Sequence, residues 1–512
     1  MKNIHVNQLG YRTNDPKKAI VTQNESKFQV VRVKDGAVVF EKNLGNEIYD
    51  AASEEKVRVA DFSEFSEDGE FLIRTASGDS FPFLIGENPY GDFRAALLEM
   101  FNYQKCGVDL DCGLWSHPAC HTSLATIYGT NEKKDVSGGW HDAGDYGRYV
   151  VPAAMTVAQL LLAQELSPKP ASDILDVTWF ELEWMLKMQC EKTGGVYHKV
   201  SCKSFDALDE MPHDEHEELV LSPMSLTATA DFAATMALAS RFYRHKKEAL
   251  IAAALRAWKW CEANPDLPGF ENPPEISTGG YGDSNSKDEL FWAACELFSA
   301  TGEKKFHDFI KSSEIFVGLG WGNMGTYGIV SYLQLANKGA LSIDTALADT
   351  MKAKLRAECD KIIAKYKTEP YGTSLGTSYP WGSNMVVGNN AMTLLLYNLL
   401  VEKDPLRSEA ALEHMHYLLG RNPLSISYVT GYGSNAAKNP HHRPSVAIGK
   451  ATPGMVVGGP NSSKANDDAL RTHCKNSPPS KSYVDHQDSY SANEITIYWN
   501  SPAYFVASVL GM

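Results

Sequence analysis

Two aspartates three residues apart stand in the stretch Gly138-Gly-Trp-His-Asp142-Ala-Gly-Asp145-Tyr-Gly-Arg-Tyr149. Its glycines let backbone approach a ligand closely. Inverting cleavage of a glycosidic bond needs a carboxylate that activates water. It also needs a protonated carboxylic acid across the scissile bond, roughly 6.5–9.5 Å away. Two aspartates on one turn could hold such a water from two sides. The ordinary alternative for a bare Asp-x-x-Asp is a helix N-cap or a surface loop, and the spacing by itself leaves both open.

A second stretch, Tyr483-Val-Asp485-His-Gln-Asp488-Ser-Tyr490-Ser-Ala-Asn-Glu494-Ile-Thr-Ile-Tyr-Trp-Asn500-Ser501, sets Glu494 among aromatics just before an apolar helical run. Desolvation there would raise a carboxyl pKa and keep the group protonated. A first-turn glutamate favoured by the helix dipole is the plain alternative. The third stretch, Ser427-Tyr-Val-Thr-Gly-Tyr-Gly-Ser-Asn435-Ala-Ala-Lys-Asn-Pro440-His441-His-Arg443, presents imidazole and guanidinium beside tyrosines. Sugar rings have an apolar face and a hydroxylated rim, so aromatics with a few convergent polar groups suit them. An ordinary surface loop would read the same way.

The elements that must position these residues fall into two regions. Up to about residue 86 the chain carries short β-branched or aromatic runs at 28–33, 37–40, 56–59 and 70–74, separated by Asp35-Gly36, Asp68-Gly69 and Ser77-Gly78-Asp79. Short strands at even spacing predict a small β-sandwich. From Pro89 onward the pattern turns helical, with apolar faces at 153–166, 173–189, 225–244, 248–263, 288–300, 344–365, 390–402, 406–419 and 493–510. Residues 158–163 are expected in an amphipathic helix. Loops rich in Gly, Pro, Asn and aromatics lie at 264–286, 367–388 and 428–468, and loops of that length are usually functional. Many helices joined by such loops predict a helical barrel with a loop-built cleft, and no tandem repeat marks a solenoid.

The bulk numbers narrow the function classes. At 512 residues the chain exceeds the usual limit of one hydrophobic core. A net charge of −15 argues against a nucleic-acid partner, and no run of about 18 apolar residues predicts a membrane span. Nine cysteines, an odd number scattered through a long chain, suit free thiols or a metal site better than a disulfide framework. With no apolar segment near Met1 to serve as a leader, the expectation is a cytoplasmic protein. Oligomeric state is not legible.

Taken together and in order, the three stretches resemble glycoside hydrolase family 9. Residues 427–443 fit its His-x-Arg signature, 483–501 fit its Asp-and-Glu signature ending in Asn-Ser, and Asp142-Ala-Gly-Asp145 resembles its catalytic motif. Val6-Asn-Gln-Leu-Gly-Tyr11 resembles the start of the immunoglobulin-like domain found in one branch. The resemblance implies an immunoglobulin-like β-sandwich over residues 1–86 and an all-α (α/α)6-barrel catalytic domain over 89–512. It implies Asp145 as general base, Asp142 helping to hold the water, and Glu494 as general acid. His441 and Arg443 would bind sugar hydroxyls with Asp485 in support. Trp381, in Tyr379-Pro-Trp-Gly-Ser-Asn384, and Tyr490 would offer aromatic faces to the substrate.

Cys106, Cys120, His121 and His141 form a Cys2His2 set suited to a structural Zn²⁺, which branch members with the immunoglobulin-like domain often carry. Buried thiols beside an unrelated His are the alternative. Ser284-Asn-Ser-Lys-Asp288-Glu289 resembles the family's calcium loop, and hard oxygen ligands suit that ion. Trp321-Gly322-Asn323 lacks the Asp that many relatives place after this Trp, so one acidic ligand is missing. No organic cofactor is expected.

The implied activity is inverting hydrolysis of β-1,4 bonds in β-glucan or cello-oligosaccharides, endo- or exo-acting. An exo-β-glucosaminidase acting on chitosan oligosaccharides is a related alternative, and would want an extra carboxylate to meet an ammonium. A non-catalytic carbohydrate-binding protein on the same scaffold is a third; retention of Asp142, Asp145 and Glu494 speaks against it.

Overall fold

A computed structural model describes residues 2–339, 343–464 and 467–512. Met1 and residues 465 and 466 of the 428–468 loop lie outside the described residues. The N-terminal strands form two sheets. One has the order Ile4–His5, Lys18–Val21, Glu55–Asp61, Ile48–Asp50, all antiparallel. The other runs Gly10–Arg12, Phe83–Gly86, Gly69–Thr75, Lys27–Arg32, Val38–Asn43, with Gly10–Arg12 and Phe83–Gly86 parallel. Alternate residues point inward, so Phe28, Val30, Phe71 and Ile73 meet Ala19, Val21 and Ala60 in one core. The expected runs at 28–33, 37–40, 56–59 and 70–74 are all strands. The two- to four-residue strands before Val21 are too short to show alternation.

By contact density the chain divides into two compact units. The first joins residues 1–100, 359–395 and 404–512; the second joins 101–358 and 396–403.

In the first unit the Val6–Tyr11 motif docks the sandwich onto C-terminal segments. The Gln8 backbone N–H donates to the Leu419 carbonyl (2.9 Å), and its side chain joins the Ser425 carbonyl to the Asn435 N–H. Gly10, at φ +143°, lies so close to the Leu84 carbonyl that a Cβ would collide with it. The helix Pro405–Leu418 packs on Ile497–Leu510, which is buried from Ile497 through Ser508.

In the second unit helices come in hairpins. Val150–Leu166, Leu226–Ala239, Lys287–Thr301 and Gly325–Lys338 pack successively, and Ile174–Met188, Lys247–Ala263 and Lys304–Ser312 each pack on a member of that row. The row is buried all round, while the flanking helices expose one face. The expectation of an amphipathic helix around 158–163 is therefore corrected: Val150 through Ala163 are all buried, as befits a helix with neighbours on every side. The helical reading from Pro89 onward holds, and the structure adds a small sheet to it. A five-stranded sheet orders Lys133–Lys134, Ala125–Ile127, Val220–Leu221, Lys199–Ser201 and Arg148–Tyr149. Strands of two or three residues carry no readable period.

Candidate active site

The loop carrying Asp142 and Asp145 is fixed from several directions. Arg148, fully buried, donates to the carbonyls of Val136 and Gly138 (both 2.8 Å). Glu181, on the helix Ile174–Met188, accepts the Trp140 N–H at 2.6 Å. Gln104 donates to the carbonyls of His141 and Ala143. Gly139, at φ +78°, lies where a Cβ would stand 2.6 Å from the Trp184 ring. Neither aspartate caps a helix; the residue preceding Val150–Leu166 is Tyr149.

The two carboxylates meet different surroundings. Asp145 Oδ2 accepts the Gly147 N–H (3.0 Å) and the Tyr149 hydroxyl (3.1 Å), donors that favour the ionised form. Asp142, 1% exposed, accepts the Tyr281 hydroxyl on Oδ2 and no hydrogen bond on Oδ1. Burial pushes its pKa well above the ordinary carboxyl value, the Asp145 charge adds to this, and Tyr281 opposes it. Tyr281 and Tyr149 pack at 5.0 Å and Tyr281 and Trp321 at 5.6 Å, edge to face, so aromatics wall the pair. The short sheet sets Tyr149 opposite Lys199, whose ammonium donates to Thr278 and the Gly279 carbonyl. Burial lowers the Lys199 pKa to about 8, against the pull of Asp145.

The remaining expected residues lie in the first unit and are brought together there. Glu494 follows the single-turn helix Tyr490–Asn493 with extended backbone (φ −70°, ψ 163°), pairs with His441, and accepts the Gly458 N–H (2.9 Å) on its carbonyl. His441 Nδ1 lies 2.6 Å from the Gln487 carbonyl, which selects the tautomer protonated at Nδ1. Burial lowers the His441 pKa to about 4, so the ring is neutral at pH 7. Arg443 is 5% exposed. Tyr490 stands between the rings of Trp381 (5.4 Å) and His441 (6.0 Å), and Trp381 is 50% exposed, leaving an aromatic surface open. Asp485 uses both oxygens on protein: Oδ2 takes the Lys438 N–H, and Oδ1 takes the Asn439 N–H and the Asn493 side chain. It ties the His441 loop to the Glu494 segment.

The expected metal ligands also converge. The ligand atoms of Cys106, Cys120, His121 and His141 all lie within 4.8 Å of one another. The Cys106 and Cys120 sulfurs are 3.9 Å apart, and Cys120 Sγ is 3.8 Å from His141 Nε2. A tetrahedron with Zn–S near 2.3 Å has an edge of roughly 3.8 Å, so the set fits that ion. His121 Nε2 pairs with Glu215, leaving buried Nδ1 without a hydrogen bond, an arrangement typical of a carboxylate-oriented ligand. The contact between the two thiols lowers the Cys120 thiol pKa, which favours the binding thiolate.

In the loop from Ser284 to Glu289, Asp288 accepts the Asn285 side chain (3.1 Å) and the Met324 N–H (2.7 Å). Glu289 and Asp231 are fully buried with no donor to any carboxylate oxygen among the described residues. Burial first, then the neighbouring acids, push both pKa values well up. Asp283 reaches within 3.7 Å of the point where a Cβ on Gly322 would stand, so its carboxylate occupies the neighbourhood of the missing acid after Trp321. Orphaned buried carboxylates beside hard oxygen donors fit a divalent cation of this type.

Sequence reasoning missed Tyr281, Tyr149 and Lys199 around the aspartates, Glu215 at the Cys2His2 cluster, and Asp231 and Asp283 at the acidic one. Only Asp283, adjoining the Ser284 loop, carried a local signal. Tyr149 closes the stretch that carries Asp145 and was passed over there; the rest are distant in sequence from the groups they meet.

Residues 90–507 match glycosyl hydrolase family 9, and residues 1–80 match the cellulase N-terminal ig-like domain. A cellodextrinase of Butyrivibrio fibrisolvens is 36% identical over 99% of both chains. Endoglucanase D of Acetivibrio thermocellus is 35% identical over 97% of this chain and 81% of its own. Among solved structures, AaCel9A in complex with cellobiose-like isofagomine superposes with a TM-score of 0.93, at 37% identity over all of both chains. A Zn-binding triple mutant of the family 9 endoglucanase J30 gives 0.90, at 30% identity over 98% of this chain and 100% of its own. A β-sandwich followed by helices of the (α/α)6 type, with both family models matched along the chain, therefore makes the chain a hydrolase belonging to glycosyl hydrolase family 9.

Proposed function

We propose that the protein hydrolyses β-1,4-glucosidic bonds of β-glucan or cello-oligosaccharides with inversion. Asp145 would act as general base, Asp142 would help hold the attacking water, and Glu494 would protonate the leaving oxygen. The observation that carries this reading is the opposed environment of the two aspartates. Asp145 Oδ2 accepts the Gly147 N–H and the Tyr149 hydroxyl, while Asp142 is pushed toward its neutral form by burial and by Asp145. Of the two, the carboxylate that keeps its charge is the one able to take a proton from water, so the base role falls to Asp145 and the acid is supplied separately by Glu494. Neutral His441, Arg443, Tyr490 and the exposed face of Trp381 would receive the sugar, with Asp485 holding the loop. Similarity to a cellodextrinase supports short oligosaccharides, and similarity to endoglucanases supports chain cleavage. A reducing-sugar assay with cellotetraose and chitosan tetramer tests the reading. Release from cellotetraose, appearing first as the α-anomer by proton NMR, is expected; an initial β-anomer or chitosan-only activity would sink it.

The metal assignments belong to the same reading. Cys106, Cys120, His121 and His141 would hold one structural Zn²⁺, which braces His141 and hence the neighbouring Asp142. Asp288 and Glu289, with Ser284, Asp231 and Asp283 nearby, would hold Ca²⁺. Residues 1–86 would form the immunoglobulin-like domain and 89–512 the catalytic domain. None of the nine cysteines is paired in a disulfide, and no described helix is long and apolar enough to cross a membrane.

A further inference from the structure

We propose that Asp467 is a positioning residue for the general acid, setting where the segment ending at Glu494 leaves its anchor. The inference rests on the reading of Glu494 as acid. Asp467 is fully buried and makes no ion pair among the described residues. Its Oδ2 accepts three donors from one short segment: the Ser489 hydroxyl (2.9 Å), the Ser491 N–H (3.0 Å) and the Ser491 hydroxyl (2.8 Å). Its Oδ1 accepts the Leu470 N–H (2.7 Å), capping the helix Asp468–His473. One carboxylate therefore joins two elements far apart in sequence.

The physical need is plain. Tyr490–Asn493 is a single turn, and a single turn does not hold itself, because nucleation fixes several dihedrals for about one hydrogen bond. Its C-terminal end is tied by the Asn493 side chain to the Asn439 carbonyl and Asp485. Its N-terminal end is tied by Asp467. Glu494 is the next residue, so both anchors fix the point from which the acid side chain projects. Tyr490, flanked by the two bonded serines, takes its place beside Trp381 and His441 from the same anchor. A buried charge costs free energy unless fully hydrogen-bonded; four donors on one carboxylate supply that compensation.

Acid assistance matters for a poor leaving group and hardly at all for an activated one, which separates positioning of the acid from general damage. Asp467→Asn keeps the shape but replaces one accepting oxygen with an NH2 group, which opposes a donor whichever way the amide turns, the Leu470 N–H or the Ser491 N–H. The measurement is kcat and KM for cellotetraose and for 2,4-dinitrophenyl β-cellobioside, with Glu494→Gln as control. For Asp467→Asn, kcat on cellotetraose is expected to fall tenfold or more, with the dinitrophenyl substrate within about threefold of wild type and KM little changed. Equal loss on both substrates, or no loss on either, while Glu494→Gln discriminates, would overturn the role of Asp467. A Glu494→Gln enzyme that fails to discriminate would instead remove the acid assignment itself. Should Asp467→Asn not fold, Ser491→Ala removes one donor and leaves the carboxylate in place. It is expected to slow cellotetraose about threefold and spare the activated substrate; equal slowing of both counts against the proposal.

Discussion

Asp142 and Asp145 are the same residue type three positions apart, and what separates them is which donors reach them. Asp142 makes its own prediction. Its folded pKa is raised, so the folded state binds that proton more tightly than the unfolded chain, where the value is about 3.9. The stabilisation is complete below the unfolded value and is lost as pH rises through the folded one. Asp142→Asn, neutral at every pH, should therefore melt higher than wild type at pH 8 by about 2 °C or more, with the gap closing toward pH 4. Thermal denaturation across that range checks it; a variant less stable than wild type at pH 8 would contradict the burial argument. Glu494→Gln and Asp145→Asn should each lower turnover of cellotetraose by about 10²–10⁴-fold or more while calorimetric binding stays close to wild type. Near-normal turnover in either would remove that residue from its role.

Elements carry the next level of control. The loop carrying Asp142 and Asp145 has little regular structure of its own, so its shape is borrowed from the helix Ile174–Met188 and the short sheet. Glu181 fixes Trp140, Trp184 covers Gly139, and pairing with Lys199–Ser201 fixes Arg148 and Tyr149. Gly139→Ala would set a Cβ 2.6 Å from the Trp184 ring at a φ that side chains rarely adopt. The expected cost is about 2 kcal/mol or more, with a parallel loss of activity as the loop shifts. Urea denaturation with a rate assay tests this; unchanged stability and rate would show the loop does not depend on that contact. The long helices were legible because their apolar spacing is sustained over three turns or more. Phe93–Tyr103, Lys304–Ser312 and Gly325–Lys338 were missed, the last because Gly325 and Gly328 break the propensity signal.

For the molecule as a whole, the Cys2His2 cluster joins residues from three loops, and an ion there would act as a cross-link. Purified untagged protein is expected to carry about one Zn²⁺ per chain at the four-ligand site. The ion should be lost as pH falls, because thiolate and neutral imidazole are the binding forms. Cys120→Ser should lower both melting temperature and activity, since His141 adjoins Asp142, while Glu494→Gln should keep its zinc. Elemental analysis decides; zinc-free protein of full stability would return these residues to buried thiols and imidazoles.

The sequence alone determined the two regions, most of the long helices, the three chemical stretches and the set of two cysteines and two histidines that the fold brings together. Each of these is written locally, as a period, a turn signal or a motif at fixed spacing. Tertiary structure decided everything that depends on which distant side chain arrives. It delivered Tyr281 to Asp142, Glu215 to His121, Asp467 to the Glu494 segment, and Asp283 to the gap left by Gly322. It also decided that the helix Val150–Leu166 is buried on every face, because burial is set by neighbouring elements. A pKa shift follows the same rule: Asp142 and Asp145 share a sequence neighbourhood, and only folding supplies the desolvation and the donors that tell them apart.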